Sequence, residues 1–442
     1  MFAIRLQHKA YGPEAKARLG LYSAFFLAPL LPEYLAPFTT LAGFYYTLIY
    51  LRSKGKKITF SAGHYPVIAF LVWQFIGILG SDNKADSLVF SLLWLFMFLG
   101  FVFTSNLIDR EDLLEKIFFI ITLGAGLCGV IGVGQIFLLH FGHYISPALT
   151  TFFNPFWGTL DVFLAKGAVK YLLPANLSQM LPHREPVQFV ERASATFTNP
   201  LFFSSWLVMA LPFASYCLFY SKGKRKRLIC LMSIVGIIGG IAASYSRAPY
   251  LATVVTVFIM LFFGWRQALT ILSITPMFLL IFPSGVYRRL RAILDFNDYS
   301  ITTRGDIWAA CSQTLREKWL WGLGPGVDNI RQILIKQYGI FQPHAHNLFL
   351  QLYLEGGIVG GSLFSLIIVW LFVDIITIYT RSKQSRPIAV TFFASLIGFL
   401  VCGLTDYVLY GPKILQFFML FMGLVHAAKR IYLPKSDKAQ TL

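Results

Sequence analysis

The chain has 442 residues, 56% of them hydrophobic and 13% charged, with a positive mean hydropathy. A soluble protein of this length needs more polar surface, and apolar runs near the ~20 residues of a bilayer crossing recur along the chain. The net charge of +18 does not point to nucleic acid, because the basic residues gather in short clusters between apolar runs, the pattern of cytoplasmic loops. Strands are not expected, since an open sheet edge is unsatisfied in lipid. The expected class is an all-α polytopic membrane protein.

Residues 1–18 form a basic tail with no convincing cleavage site behind it, so the first span is expected to be retained. Runs at about 19–33 and 36–51 make a hairpin at Pro32-Glu33, closed by the basic stretch 52–57. Runs at about 64–80, 87–104 and 115–140 follow, giving an N-terminal region of five spans over 1–140. A first long outer loop covers 141–198, where Phe152, Phe153, Phe156 and Trp157 suit headgroup depth. The central region, 199–283, holds spans at about 200–220, 228–244, 250–264 and 267–283. Lys222 to Arg227 marks its cytoplasmic side, and Ser244-Tyr245-Ser246-Arg247-Ala248-Pro249 its outer turn.

A second large outer loop covers 284–344. It starts basic at Arg288, Arg289 and Arg291, has helical character over 304–318, and breaks at Gly322-Leu323-Gly324-Pro325-Gly326. The last region, 345–442, carries spans at about 357–379, 388–404 and 413–428, with Asp406 in a short outer turn and a basic tail behind. The total is about twelve transmembrane helices with both ends inside. Four of the five cysteines, Cys128, Cys217, Cys230 and Cys402, lie in apolar runs and Cys311 in a loop, so no disulfide or metal framework is implied.

Histidine is the side chain best suited to move protons near neutral pH. There are eight; His140, His143, His183, His344 and His346 fall outside, while His8, His64 and His426 fall inside. His346-Asn347 sits where the second loop meets a glycine-rich helix. The bland reading is an interfacial histidine capping that helix. His344 and His346 are too close in sequence to share a helical face and have no acidic or cysteine cluster beside them, so no metal is expected. Arg247 opens a span at its outer end, where a charge is either functional or a snorkelling anchor. Arg304 stands beside Asp306, and a surface ion pair is the plain alternative. Arg192 precedes Thr196-Phe197-Thr198-Asn199-Pro200. Guanidinium groups grip phosphate bidentately, so arginines at one rim suit a diphosphate at headgroup level.

Other features point less far. Gly356/Gly360 and Gly357/Gly361 repeat at the spacing of helix packing. The glycines at 322–326 suit either a turn or a backbone phosphate cradle. Asp406 is a cap or an arginine partner, and Glu355 a pair or a cap. No Walker, dinucleotide or serine-elbow pattern stands out.

Thr196 to Pro200, Ser244 to Arg247, Arg304 with Trp308, Gly322 to Gly326, and His346-Asn347 through Glu355-Gly356-Gly357-Ile358-Val359-Gly360 occur in one order. That order resembles the O-antigen ligase and O-antigen polymerase superfamily over roughly residues 190–425. The resemblance implies a GT-C-like fold with short helices in a long periplasmic loop. It implies a metal-independent, inverting glycosyltransferase of the bacterial inner membrane, its active site facing the periplasm and needing no cofactor. The donor would be an undecaprenyl-diphosphate-linked glycan, and the acceptor lipid A core or another glycan. Carried over by position, His346, Arg247 and Arg304 are the catalytic residues, and Arg192, Asn347 and Asp406 bind substrate. The long 141–198 loop departs from the pattern and is a place for acceptor choice. A ligase is the first expectation; a polymerase or a protein O-oligosaccharyltransferase stays open. The non-enzyme alternative is a lipid-linked glycan transporter, which would more often carry its charges at mid-membrane.

Overall fold

The structure is a computed structural model describing residues 12–33, 35–145, 192–265, 268–269, 271–274 and 299–433. Among these residues every regular element is helical. The first five helices are α1 (Pro13–Phe26), α2 (Ala36–Ser53), α3 (His64–Gly77), α4 (Lys84–Leu107) and α5 (Glu111–Ile145). After the first loop come α6 (Pro200–Tyr220), α7 (Lys224–Ala243) and α8 (Arg247–Phe262). The second loop carries α9 (Tyr299–Glu317) and α10 (Val327–Tyr338). The chain ends in α11 (Leu348–Arg381), α12 (Arg386–Gly403) and α13 (Pro412–Tyr432).

Seven of these, α4, α5, α6, α7, α11, α12 and α13, are long and apolar enough to cross a membrane. The expected count of twelve is therefore not reached among the described residues. Two expected spans, α3 and α8, are apolar but shorter. At 1.5 Å per residue the 14 residues of α1 reach about 21 Å, less than a hydrocarbon core. Threonines and tyrosines, among them Thr39, Thr40, Tyr45, Tyr46 and Thr47, interrupt α2. The expected span at 267–283 falls almost wholly outside the described residues, as do Phe152 to Trp157 and Arg288 to Arg291.

Helices α6 and α13 lie at the centre. Phe213 of α6, Phe392 and Phe399 of α12, and Phe418 and Phe421 of α13 are fully buried, and Phe213 and Phe392 both meet Phe421 edge to face. Leu251, Val254, Phe258 and Phe262 of α8, and Leu366, Val369, Val373 and Ile376 of α11, point outward, as lipid-facing stripes do. Apolar burial alone does not join helices in lipid, so close approach matters. Gly126 and Gly129 of α5 meet Ser233 and Gly236 of α7. A Cβ on Gly129 would stand 2.1 Å from the Gly236 carbonyl oxygen.

Helix α11 is broken one-third of the way along. Gly357 has φ 62° and ψ −164°, a conformation open only to glycine. The break frees backbone groups that water would have to satisfy, and the second loop supplies them instead. Leu323 N–H donates to the Leu354 carbonyl at 2.7 Å, Gly324 N–H to the Glu355 carbonyl at 3.0 Å, and Ile358 N–H to the Trp319 carbonyl at 2.7 Å. The Gly322–Gly326 turn thus clasps α11, and two of its N–H groups are spent on this rather than on a phosphate. Gly356 and Gly360 follow the packing expectation, facing the Trp73 indole; Gly357 is a hinge point. A Cβ on Gly357 would lie 2.1 Å from the Leu320 carbonyl oxygen. We predict that Gly357→Ala destabilises the protein by at least about 1–3 kcal/mol from backbone strain alone. A wild-type thermal midpoint for this variant would contradict the clasp.

Candidate functional site

The segment His344-Ala345-His346-Asn347 joins α10 to α11. Asn347 caps α11: its Oδ1 accepts the Leu350 N–H at 3.0 Å, and its Nδ2 donates to the Leu404 carbonyl at 3.0 Å. Its side chain, expected to bind substrate, thereby ties the start of α11 to the end of α12. Immediately before it, His346 takes a left-handed φ of 47°, which swings its ring back beside that of His344 at a centroid distance of 4.3 Å.

Both rings face one carboxylate. His346 Nδ1 lies 3.3 Å from Asp406 Oδ2, and His344 Nε2 lies 3.6 Å from Asp406 Oδ1. Asp406 Oδ1 also accepts the Tyr407 N–H at 2.7 Å. The expectation for Asp406 is substrate binding; its oxygens are turned to the two histidines. Burial alone would raise the Asp406 carboxyl, but His344 and the His346 hydrogen bond outweigh it and hold the group below the usual carboxylate range. Burial pushes the His344 imidazole down to about 4, against the pull of Asp406 and in the same direction as the Arg304 charge. Near neutral pH His344 is therefore uncharged and Asp406 ionised.

The hydrogen-bond pattern assigns the tautomers. His344 Nδ1 accepts the His346 N–H at 3.3 Å, so its proton is on Nε2, toward Asp406. His346 has its Nδ1 against the same carboxylate, which places the proton there and leaves the lone pair on Nε2. Gln342 Oε1 as placed lies 3.1 Å from that Nε2. Its amide oxygen and nitrogen interchange by a flip, so its NH₂ can face the lone pair. The result is an imidazole whose orientation is set by a carboxylate that is 7% exposed.

Arg304 reaches this cluster through α9. Trp308, one turn on along the same face, donates its Nε1–H to the Ala345 carbonyl at 2.9 Å. That contact docks the face carrying Arg304 over the histidine segment, close enough for the Arg304 charge to act on His344.

A second group forms beside it. Arg192 donates from Nε to the Ser244 carbonyl at 3.0 Å and from Nη2 to Ser246 Oγ at 2.7 Å. This locks the approach to α6 onto the turn that opens α8 with Arg247. Gln135 of α5 holds the next residues: its Oε1 accepts Ser194 N–H at 3.1 Å and Ala195 N–H at 2.7 Å. Buried Lys413 donates to the Thr196 carbonyl at 2.7 Å and the Pro29 carbonyl at 3.2 Å. Glu33 accepts from Thr198 N–H at 3.0 Å, and Asn199 caps α6.

The two groups stand at one end of the bundle. Helices α8 and α12 pack antiparallel, and Gly398 meets Thr256 so closely that a Cβ would lie 2.7 Å from its Oγ1. Arg247 is nine residues above that contact and Asp406 eight above it, heights of about 13 and 12 Å at 1.5 Å per residue. Tyr410 bridges the groups, its ring 5.8 Å from His344 and 6.3 Å from Phe202 of α6. The three non-glycine residues with left-handed backbone among the described residues, Ala195, Tyr245 and His346, all belong to this end. Strain of this kind collects at functional sites. At the opposite end His64 and His426 share the Ser61 hydroxyl.

His344, His346 and Asp406 also form a group able to hold a metal ion among the described residues, with one donor atom from each within 4.8 Å of the others. The sequence, from which no metal is expected, shows the two histidines but not the third ligand, 60 residues on. Gln342 and Gln351, which also touch this segment, carry no mark in the sequence as site residues. Gln351 has one signal, its place one turn before Glu355 on the same face.

The fold and this end of the bundle define a multi-pass, all-α membrane protein with a carboxylate-oriented histidine and arginines gathered at one rim. Comparison with known families points the same way: residues 232–365 match the family model described as O-Antigen ligase. The match contains Arg247, Arg304, Trp308, His344, His346 and Asn347; Arg192 and Asp406 come from outside it. None of the curated proteins compared matches the chain.

Proposed function

We propose that the protein is an O-antigen ligase. It transfers a glycan en bloc from undecaprenyl diphosphate to a sugar hydroxyl of lipid A core, at the periplasmic face of the inner membrane. The observation that carries the chemistry is the His346–Asp406 pair, which leaves the lone pair on His346 Nε2 to take a proton once the acceptor displaces Gln342. The acceptor oxygen attacks the anomeric carbon as its proton passes to His346 Nε2. The bond from that carbon to the diphosphate oxygen breaks, undecaprenyl diphosphate leaves with the electron pair, and the anomeric centre inverts. Asp406 stabilises the imidazolium that results. Arg304 and Arg247 offset the charge growing on the diphosphate, the electrostatic work a divalent ion does in other transferases. The membrane spans suit a donor whose polyprenyl tail stays in lipid.

The test is transfer by the purified protein in proteoliposomes, with undecaprenyl-diphosphate-linked glycan, with and without lipid A core, and with a chelator present throughout. A single shift of lipid A core to a glycosylated product is expected, at an undiminished rate in chelator. Loss of transfer in chelator, restored by a divalent cation, would instead make His344, His346 and Asp406 metal ligands. A ladder still attached to undecaprenyl diphosphate, formed without lipid A core, would make the enzyme a polymerase.

A further inference from the structure

The Ala345 peptide is gripped at both ends. Its carbonyl accepts from Trp308, and its N–H donates to Gln351 Oε1 at 2.9 Å. Gln351 is fully buried and passes the link on, donating from Nε2 to Glu355 Oε1 at 2.8 Å. Glu355 is 2% exposed, and its buried Oε2 has the buried Tyr407 hydroxyl beside it but makes no hydrogen bond of good geometry. A half-satisfied acid inside a helix bundle calls for an explanation, and its bond to Gln351 leads back to the histidine segment.

The direction of the link matters. An amide has one acceptor and one donor end. Gln351 offers its oxygen to Ala345 only while its NH₂ has somewhere to go, and Glu355 is the acceptor that receives it. The grip acts on the residue before His346, whose left-handed backbone would otherwise relax toward the extended region and carry the ring away from Asp406.

We propose that Glu355 is a positioning residue: acting through Gln351, it holds the Ala345 peptide so that His346 stays on Asp406. This rests on the reading of His346 as the general base. Glu355 does not touch substrate and moves no proton.

The test is steady-state transfer in proteoliposomes by wild type, His346→Ala, Glu355→Ala, Gln351→Leu, Glu355→Gln and the double variant Gln351→Glu with Glu355→Gln. Thermal midpoints are measured in parallel, and rates are taken per folded protein. Glu355→Ala and Gln351→Leu should each lower kcat about 100-fold, the scale of an ångström misplacement, with the KM for the lipid-linked donor unchanged. Glu355→Gln still presents an oxygen to Gln351 and should keep most of the rate. The double variant reverses the pair. The carboxylate now at position 351 accepts from Ala345 N–H with one oxygen and from the amide NH₂ now at position 355 with the other. It should recover kcat to within about tenfold of wild type, because the two changes are coupled.

If both variants with an amide at position 355 are as slow as Glu355→Ala, or if Glu355→Ala matches wild type, the positioning role is wrong while the transferase reading stands. If wild type makes no product, or His346→Ala is fully active, the reading of the base fails and this inference goes with it.

Discussion

His346→Ala is expected to lower transfer by about 10²–10⁴-fold, the usual contribution of a positioned general base, while expression and fold persist. The acceptor hydroxyl is a weak nucleophile, and His346 Nε2 is the lone pair that Asp406 orients. The same residue also carries backbone strain at φ 47°, of order 1–3 kcal/mol for a non-glycine residue. Alanine keeps that strain, whereas glycine adopts the conformation freely. His346→Gly should therefore raise the thermal midpoint above that of His346→Ala and remain as inactive. Stability and activity moving apart at one position separates a catalytic histidine from a helix-capping one. Retained transfer in either variant would remove His346 from the chemistry.

Arg304→Lys should cost about 10²–10³-fold in kcat, the range seen when one transition-state charge stabiliser is lost, although the charge is unchanged. Lysine is a point charge on a flexible stem and cannot hold a diphosphate with two parallel N–H bonds. The Trp308 contact fixes where the guanidinium face lies, and a shorter head on the same stem falls short of it. Arg247→Lys should behave alike, since Arg247 opens α8 level with Asp406. The informative split is in the kinetics. A fall in kcat with KM nearly unchanged means that the arginines act on the departing diphosphate. A rise in KM alone means that they merely dock the donor, and wild-type kinetics would return them to anchors at the headgroups.

Much of this is legible in the sequence because the bilayer constrains it so strongly. Apolar runs and basic clusters point to the helical class, and the His346, Arg247 and Arg304 motifs lie in an ordered series along one chain. The role of Asp406 is not legible. It sits 60 residues past His346 beyond two helices, and only their antiparallel return brings it under the imidazole. Arg192 is visible as a charge, but not its bonds to Ser244 and Ser246, which depend on a loop folding across α6 and α7. Gly357 looks like its neighbours in a repeat of four; nothing local says that one of four similar glycines breaks the helix. The number of spans is less legible, because hydropathy registers α1, α2, α3 and α8 as apolar without measuring length, and among the described residues seven helices are both long and apolar enough to cross.

The clasp on α11 also bears on how the protein is made. Residues 319–324 leave the ribosome before residues 354–358. The groups that complete the broken helix are thus made before its second half. Each buried carbonyl left unmatched is costly, so the bend in α11 is stable only once that earlier segment has folded against it. Biogenesis then has a built-in order, with the loop first and the helix second. A chain whose loop fails to fold would stall with α11 only partly inserted, and quality-control proteases would meet it in that state.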